Sequence, residues 1–324
     1  MTGLVIAGLG LTAAAVLGLI WLAAAAPPVA RFPWYGGWAL AALAACALML
    51  ALRVAWVATF FTALMWTAYI AAVDAAVYRL RGDSLLRRPG ALAAMALLSV
   101  PLWLIFEAYN LRLANWRYVG VPARFWLFAV GATWAFATIL PGIFETADLI
   151  HTAWTSRWRW PRWRSRGWPW MAAGAALLAV PLVAPAAWAP YLFALVWAGF
   201  IFLLDPVNRA CGWPALLADL EQGAAGRIAA LLLAGAACGF LWEFWNYWAA
   251  ARWEYVFPIL HRYRIFAMPA PGFLGFPPFA LECFVLYTLA AHALLPPRLR
   301  ARLLEPCASL NARRVAEIWP DARN

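Results

Sequence analysis

Two sets of residues suited to acid and base chemistry recur in this chain in the same order. Glu107, Asn110, Trp116, Tyr118, Pro141 and Glu145 return as Glu243, Asn246, Trp253, Tyr255, Pro278 and Glu282, with no gap in register from the tryptophan onward. Upstream, Trp66, Ile70, Asp74, Arg79 and Gly82 answer to Trp197, Ile201, Asp205, Arg209 and Gly212 once a one-residue slip behind the aspartate is allowed. Each copy therefore carries three carboxylates and an amide in or beside strongly apolar segments, where a charge is costly unless it is paired or used. A carboxyl without a partner there escapes its desolvation cost by keeping its proton, and a neutral carboxylic acid in an apolar cavity is a proton donor. The chemistry implied is proton transfer to and from an apolar substrate.

Glu107 and Asn110 stand three residues apart, as do Glu243 and Asn246, so each pair shares one face of a helix. Pro141 and Pro278 each precede a glutamate by four residues and loosen the backbone where that acid enters the bundle. On this reading Glu145 and Glu282 are the acid and base, Glu107 and Glu243 are their partners, and Asn110 and Asn246 orient them by hydrogen bonds. Trp116, Tyr118, Trp253, Tyr255, Trp242, Trp245 and Phe279 supply ring faces to bind the substrate and stabilise a cation. Asp74 and Asp205 fall at helix ends within reach of Arg79 and Arg209, where a salt bridge or cap competes with a role in holding an ion.

The elements that must position these groups are membrane helices. Hydrophobic residues make up 66% of the 324 and charged ones only 12%, and several apolar runs approach the ~20 residues that cross a bilayer. Only helices or closed barrels satisfy their backbone in lipid, and the alternation of a barrel is absent. The fold class is therefore an all-α polytopic membrane protein with about nine spans, near 3–26, 37–52, 54–74, 91–110, 136–156, 169–184, 187–205, 225–246 and 272–294. The alanine run ending at Ala26 resembles a signal-cleavage site, but no basic segment precedes it, so a retained helix is expected. The chain divides into a first helix (1–30), repeat unit 1 (31–156), a basic Arg/Trp linker (157–168), repeat unit 2 (169–296) and a cytoplasmic tail (297–324). Four spans per unit is an even number, so the copies are expected to run parallel about a pseudo-twofold axis along the membrane normal.

The 25 basic residues are all arginine. With nine spans, one side collects Arg31, Arg79, Arg81, Arg87, Arg88, the 157–166 cluster, Arg209 and the tail. The other side holds mainly Arg53, Arg112, Arg117, Arg124, Arg252, Arg262 and Arg264. The richer side is expected to be cytoplasmic, in a bacterial-type inner membrane with the N-terminus outside. The net charge of +11 and the alternation of Arg with Trp over 157–164 invite a nucleic-acid reading. Beside a membrane span, however, such residues are anchors at an anionic leaflet, so the partners expected are the lipid bilayer and an apolar substrate, with no nucleic acid. A chain without lysine forms no retinal or pyridoxal Schiff base and has no Walker A site. His151, His261 and His292 are scattered, the five cysteines (Cys46, Cys211, Cys238, Cys283 and Cys307) contain no Cys-x-x-Cys pair, and neither the dinucleotide nor the hydrolase glycine motif occurs. No cofactor and no metal are expected from these patterns.

The tandem arrangement of Trp116-Arg117-Tyr118 with Pro141 to Glu145, and of Trp253-Glu254-Tyr255 with Pro278 to Glu282, resembles the lycopene cyclase domain family of small carotenoid cyclases. The resemblance covers about residues 91–150 and 225–294. That family usually shows Pro-x-Glu-Glu, whereas both copies here read Pro-x-x-x-Glu. The resemblance implies a membrane-embedded cyclase or isomerase (an intramolecular lyase or isomerase), working without redox chemistry or cofactor on a long prenyl or carotenoid chain. The residues leave other readings open. Parallel repeats with proline-broken helices and midplane carboxylates also build the site of a proton- or cation-coupled secondary transporter. Glu, Asp and Asn oxygens suit magnesium or manganese, although no Asp-x-x-x-Asp or similar dense cluster occurs on any single helix, and a duplicated polar set also holds helices together. Unit 2 keeps the denser aromatic set and is the expected catalytic copy.

Overall fold

The computed structural model describes residues 3–256, 258–260 and 262–295. His261, Cys307 and the expected cytoplasmic tail lie outside the described residues. Eight helical segments are long and apolar enough to cross a membrane, and a ninth, Gly167–Val183, is shorter but apolar. Among the described residues the chain is thus an all-α multi-pass membrane protein. In order, it contains α1 (Gly3–Ala25), α2 (Trp34–Ala51), α3 (Ala55–Arg81), α4 (Pro89–Leu113), β1 (Trp116–Val119), and α5 (Phe125–Ala137) running into α6 (Ile139–Ala153). There follow α7 (Gly167–Val183), α8 (Phe193–Ala210), α9 (Leu216–Gln222), α10 (Gly226–Trp248), β2 (Arg252–Tyr255), β3 (Arg264–Ile265), β4 (Met268–Pro269) and α11 (Phe276–Leu294).

Each expected span has a counterpart among these helices, but α3 continues past Asp74 to Arg81, and the span expected at 136–156 is formed by α5 and α6 together, from Phe125 to Ala153. Hydropathy marks the apolar layer, while the helix ends where Gly82 takes a left-handed φ of 73° at no steric cost. The α2–α3 turn, marked in the sequence only by Arg53, closes with Val54 N–H donating to Met49 O at 3.0 Å. Arg53 itself is left-handed there, with φ 58°. The basic linker is tied down: Trp160 N–H donates to Gly223 O at 3.0 Å and Trp163 N–H to Leu220 O at 3.0 Å, fixing it against the α9–α10 turn.

The short strands, which hydropathy does not reveal, define the symmetry. β1 and β2 pair antiparallel, with Trp116 opposite Tyr255, Tyr118 opposite Trp253, and Arg117 opposite Glu254. Arg117 and Glu254 are equivalent positions in the two copies, and a position paired with its own copy lies on a twofold axis. Because β1 follows α4 and β2 follows α10 at the same face, the units run parallel and the axis stands along the membrane normal. Around it, α6 and α11 each contact both α4 and α10; α3 separates α2 from α6, and α8 separates α7 from α11.

The units differ ahead of α6 and α11. In unit 1, α5 leads into α6 through a break at Thr138, where Pro141 offers no N–H to the Ala137 carbonyl. Ser99 of α4 enters the next rung, donating to Phe136 O at 2.5 Å and accepting from Leu140 N–H at 3.1 Å, so both backbone groups of that rung stay satisfied. In unit 2 the β3–β4 hairpin and a 3-10 stretch, Ala270–Gly275, stand in place of α5. The residue matching Ser99 is Gly235, whose missing side chain admits the Phe276 carbonyl against α10.

Candidate functional site

Beneath the β1–β2 ribbon lies a cavity of about 520 Å³ whose wall comes from both units. Unit 1 supplies Thr62 and Trp66 from α3, Trp103 from α4, Trp116 and Tyr118 from β1, and Phe128 and Phe136 from α5. Unit 2 supplies Phe193 and Trp197 from α8, Trp242 from α10, Trp253 and Tyr255 from β2, and Pro278 and Phe279 from α11. Ring contacts cross between the halves: Phe279 meets Trp103 edge-on at 5.8 Å, and Trp116 meets Phe193 at 5.0 Å. Tyr191, Val121, Ile259 and Leu274 also border the cavity and are exposed, so a lipid-soluble molecule meets apolar side chains on entry.

Behind this wall stand the two Glu–Asn pairs. Asn246 donates from Nδ2 to Trp253 O at 2.9 Å and accepts Trp253 N–H on Oδ1 at 2.9 Å. Asn110 does the same for β1, donating to Trp116 O at 2.9 Å and accepting from Asn115 N–H at 2.8 Å and Trp116 N–H at 3.2 Å. The asparagines therefore hold strand backbone. This corrects the expectation that they orient Glu145 and Glu282: three residues before each Asn, the same helix face presents Glu107 or Glu243, and it is the strand that these pairs meet.

The glutamates of these pairs hold the strand side chains. Tyr118 OH donates to Glu107 Oε1 at 2.5 Å, with Trp116 Nε1 at 3.3 Å. Tyr255 OH donates to Glu243 Oε1 at 2.7 Å, with Trp253 Nε1 at 3.2 Å. Burial and the adjacent glutamate push both tyrosine phenols well above their ordinary range, so each keeps its proton and remains a donor. The clusters are not identical. Trp103 gives Glu107 a third donor at 2.8 Å, whereas the matching position in α10 is Gly239. Glu243 is fully buried, and its Oε2 has no hydrogen-bond partner.

Glu145 and Glu282 do not converge on the cavity, contrary to the expectation that they face each other in one chamber. Neither borders it. Pro278 and Phe279 reach the wall, and Glu282 lies one helical turn beyond, about 5.4 Å along the axis. There α8 covers it, with Phe200 N–H donating to Glu282 Oε1 at 3.2 Å. Glu145 lies instead beside Asp74, Asp148 and Arg81 of its own unit, and Arg81 pairs with Asp148 at 3.0 Å.

Asp74 and Asp205 are helix-end caps. Asp74 accepts Leu86 N–H at 2.8 Å, Ser84 Oγ at 2.9 Å and Tyr35 OH at 2.6 Å. Asp205 accepts the N–H groups of Leu216 and Leu217 at 2.7 and 2.8 Å, at the start of α9. Their expected arginine partners turn elsewhere: Arg79 donates to Ala23 O at 2.6 Å, pinning the end of α1, and Arg209 pairs with Glu221 at 2.6 Å. Of the expected aromatic set, Trp116, Tyr118, Trp253, Tyr255, Trp242 and Phe279 reach the cavity. Trp245 instead packs into the core against Trp66 at 4.9 Å.

Residues not assigned from the sequence complete the wall, chiefly Thr62, Trp66, Trp103 and Trp197. Two signals pointed to the three tryptophans, and none to Thr62. Trp66 and Trp197 are a repeated pair, and Trp103 precedes Glu107 by four residues, on the same helix face. Among the described residues, no group of three or more His, Cys, Asp or Glu side chains is gathered to hold a metal ion. Compared with known proteins, the chain matches no family model, no curated protein and no solved structure.

Proposed function

We propose that the chain is a membrane-embedded cyclase or isomerase of an isoprenoid or carotenoid-type lipid, acting through Tyr255–Glu243 and Tyr118–Glu107. One observation carries this reading: both units deliver the same Glu–Trp–Tyr cluster to the wall of a single aromatic cavity. A volume of about 520 Å³ lies within the ~300–1,000 Å³ of small-molecule sites, enough for the folded end of a chain whose remainder lies in lipid. With Glu243 protonated and its hydrogen bond to Tyr255 turned so that the carboxyl donates, Tyr255 gives its phenolic proton to a double-bond carbon of the substrate and takes the Glu243 proton in its place. The cation left on the neighbouring carbon faces tryptophan rings. Loss of a proton from an adjacent carbon to Tyr118, which passes its own to an ionised Glu107, restores neutrality and leaves an isomer of the starting lipid; Glu107 then gives up a proton to water and Glu243 takes one from water before the next turnover. On the positive-inside rule the Arg-rich face is cytoplasmic, which places the cavity toward the outer leaflet of a bacterial-type inner membrane.

The test is mass spectrometry of lipids extracted from gently purified protein, followed by turnover of a supplied polyene. An isoprenoid is expected to co-purify, and Glu243→Gln and Tyr255→Phe are expected to lower turnover about 100-fold or more, as for loss of a general acid. Full turnover in both variants, with no isoprenoid bound, overturns the reading. The second reading, a proton-coupled carrier, draws on the buried acids Asp74, Glu145 and Asp148 beside Arg81. Solute counterflow in liposomes would favour it.

A further inference from the structure

We infer that the chain seated in the cavity carries an anionic phosphate head, held on the water side of the rim by Arg252 and Arg124, so that the substrate is a prenyl phosphate and not a bare hydrocarbon. The inference rests on the proposed reading of the cavity as the seat of an isoprenoid, and it names the class of isoprenoid.

Among the described residues of the cavity wall one is charged: Arg252, at the first position of β2. Strand alternation turns Trp253 and Tyr255 to the cavity and sends Arg252, Glu254 and, from β1, Arg117 to the water side of the ribbon. There Arg252 pairs with Glu254 Oε1 at 3.1 Å and Arg117 with Glu254 Oε2 at 3.3 Å. One carboxylate thus serves two guanidinium groups. Both arginine side chains stay open to solvent, 38% and 66% exposed. An arginine carries five N–H donors in a fork that fits phosphate oxygens. Arg252 gives Nη2 to Glu254 and turns Nη1 to Ala249 O at 3.5 Å, so donors remain for a ligand.

The cavity reaches solvent at this end of the ribbon. Val119 is paired with Arg252, and Gly120 lies so near Ala250 that a side chain would strike its carbonyl oxygen. The next residue, Val121, borders the cavity and is exposed. Arg124 follows at the N-cap of α5, where its carbonyl accepts the N–H groups of Leu127 and Phe128 at 3.0 and 3.2 Å. Both of those residues line the cavity. Arg124 is itself exposed and has no carboxylate partner among the described residues. Three guanidinium groups therefore stand at this rim against one carboxylate, and the surplus suits a dianionic phosphate better than a singly charged head. An apolar chain entering past Val121 leaves its head in water at these arginines.

The repeat supplies a second, independent argument. The position matching Arg252 in unit 1 is Asn115, which is buried. Its Nδ2 is spent on Leu113 O at 2.9 Å and Pro190 O at 3.0 Å. Only the unit 2 position offers a cation, so an otherwise twofold chamber gains a direction. Arg252 precedes Tyr255 by three residues, about 10 Å along the strand. The double bond that Tyr255 protonates thus lies well along the chain from the head. Protonation there forms and breaks no bond to phosphorus, and the head is a handle that the product keeps.

A long prenyl phosphate and the alcohol of the same chain, titrated into protein in nanodiscs of zwitterionic lipid and read by quenching of tryptophan fluorescence, test this. The wild-type protein is expected to bind the phosphate roughly 10-fold more tightly, the yield of one charge-assisted hydrogen bond, and added salt should shrink the difference. Arg252→Gln and Arg124→Gln should each cut that preference about threefold or more while leaving affinity for the alcohol unchanged. Arg164→Gln, in the basic linker at the other end of α10, should leave the preference intact. If both probes bind the wild type equally, or if the preference is unchanged in both rim variants, the phosphate head falls and the apolar-chain reading stands. If neither probe binds, both fall. Neither phosphatidylglycerol nor inorganic phosphate at matching concentration should displace the prenyl phosphate. Displacement by either would assign the rim to a leaflet headgroup or to free phosphate and would overturn the substrate class. The wild-type comparison needs no variant, so a variant that fails to fold leaves the test intact.

Discussion

Replacing Asn246 by Ala should loosen the whole ribbon, not one side chain. Asn246 is fully buried and makes two 2.9 Å bonds to the backbone of Trp253, so the variant strands one N–H and one C=O in an apolar setting. In water-soluble proteins each orphaned group costs about 1–3 kcal/mol. Within membranes, polar bonds average nearer ~0.6 kcal/mol, because the unfolded reference also finds partners. Two bonds therefore place the loss between about 1 and 6 kcal/mol, and the membrane average favours the lower half of that range. Asn110→Ala removes the matching latch in unit 1, where the asparagine is only half-buried, and should cost less. Since β1 pairs only with β2, releasing one strand already removes the other's partner. The double variant should then lose less than the sum of the singles, by at least ~0.5 kcal/mol. Reversible unfolding in mixed micelles, monitored by tryptophan fluorescence, measures all three. Losses below ~0.5 kcal/mol for Asn246→Ala, or strict additivity in the double variant, would refute the argument that the asparagines clamp a shared ribbon.

Gly120→Ala places a side chain at φ 65°, against the carbonyl oxygen of Ala250. The left-handed backbone alone costs about 1–2 kcal/mol, and the same unfolding assay should show at least that loss. Desolvation opposes ionisation of Glu254, but hydrogen bonds and charge from Arg252 and Arg117 outweigh it and hold its carboxyl below the usual range. The stabilisation it gives is therefore present above the unfolded value and lost as pH falls through the lower folded value. On this partly exposed ribbon it is worth under ~1 kcal/mol, and added salt should shrink it. Asp219 behaves oppositely: burial raises its carboxyl to about 6, despite the Arg227 cation and aided by Asp205. The folded state then binds more protons than the unfolded one between about pH 4 and 6, so stability should decline as pH rises through that window. Asp219→Asn should flatten this slope, and an unchanged slope would assign the effect to other groups.

The sequence was most informative where a pattern repeats. Composition and apolar run length were enough to require membrane helices, since only helices or closed barrels satisfy a backbone in lipid and the alternation of a barrel is absent, and pairing like with like between the copies revealed the duplication. The even number of spans per unit gave the parallel orientation, now seen in Arg117 facing its own copy, Glu254. Glu107 and Glu243 were legible as acids because three-residue spacing puts each on one helix face with its asparagine, and Trp116, Tyr118, Trp253 and Tyr255 as wall because the same aromatic pair follows the acid in both copies.

Only the tertiary structure decided which acids stand behind the cavity. Glu243 and Glu282 both look like buried carboxyls along the chain, yet the four-residue strand brings Tyr255 to the first, while one turn of helix carries the second past the wall at Pro278 and Phe279. Those strands are too short for a hydropathy signature, and their pairing joins residues from opposite halves of the chain. The caps at Asp74 and Asp205 were hidden for the same reason: their partners are backbone N–H groups 11 or 12 residues onward, which every residue except proline possesses and no sequence pattern distinguishes. Local spacing determines what each helix face offers, and long-range packing determines which offers are taken.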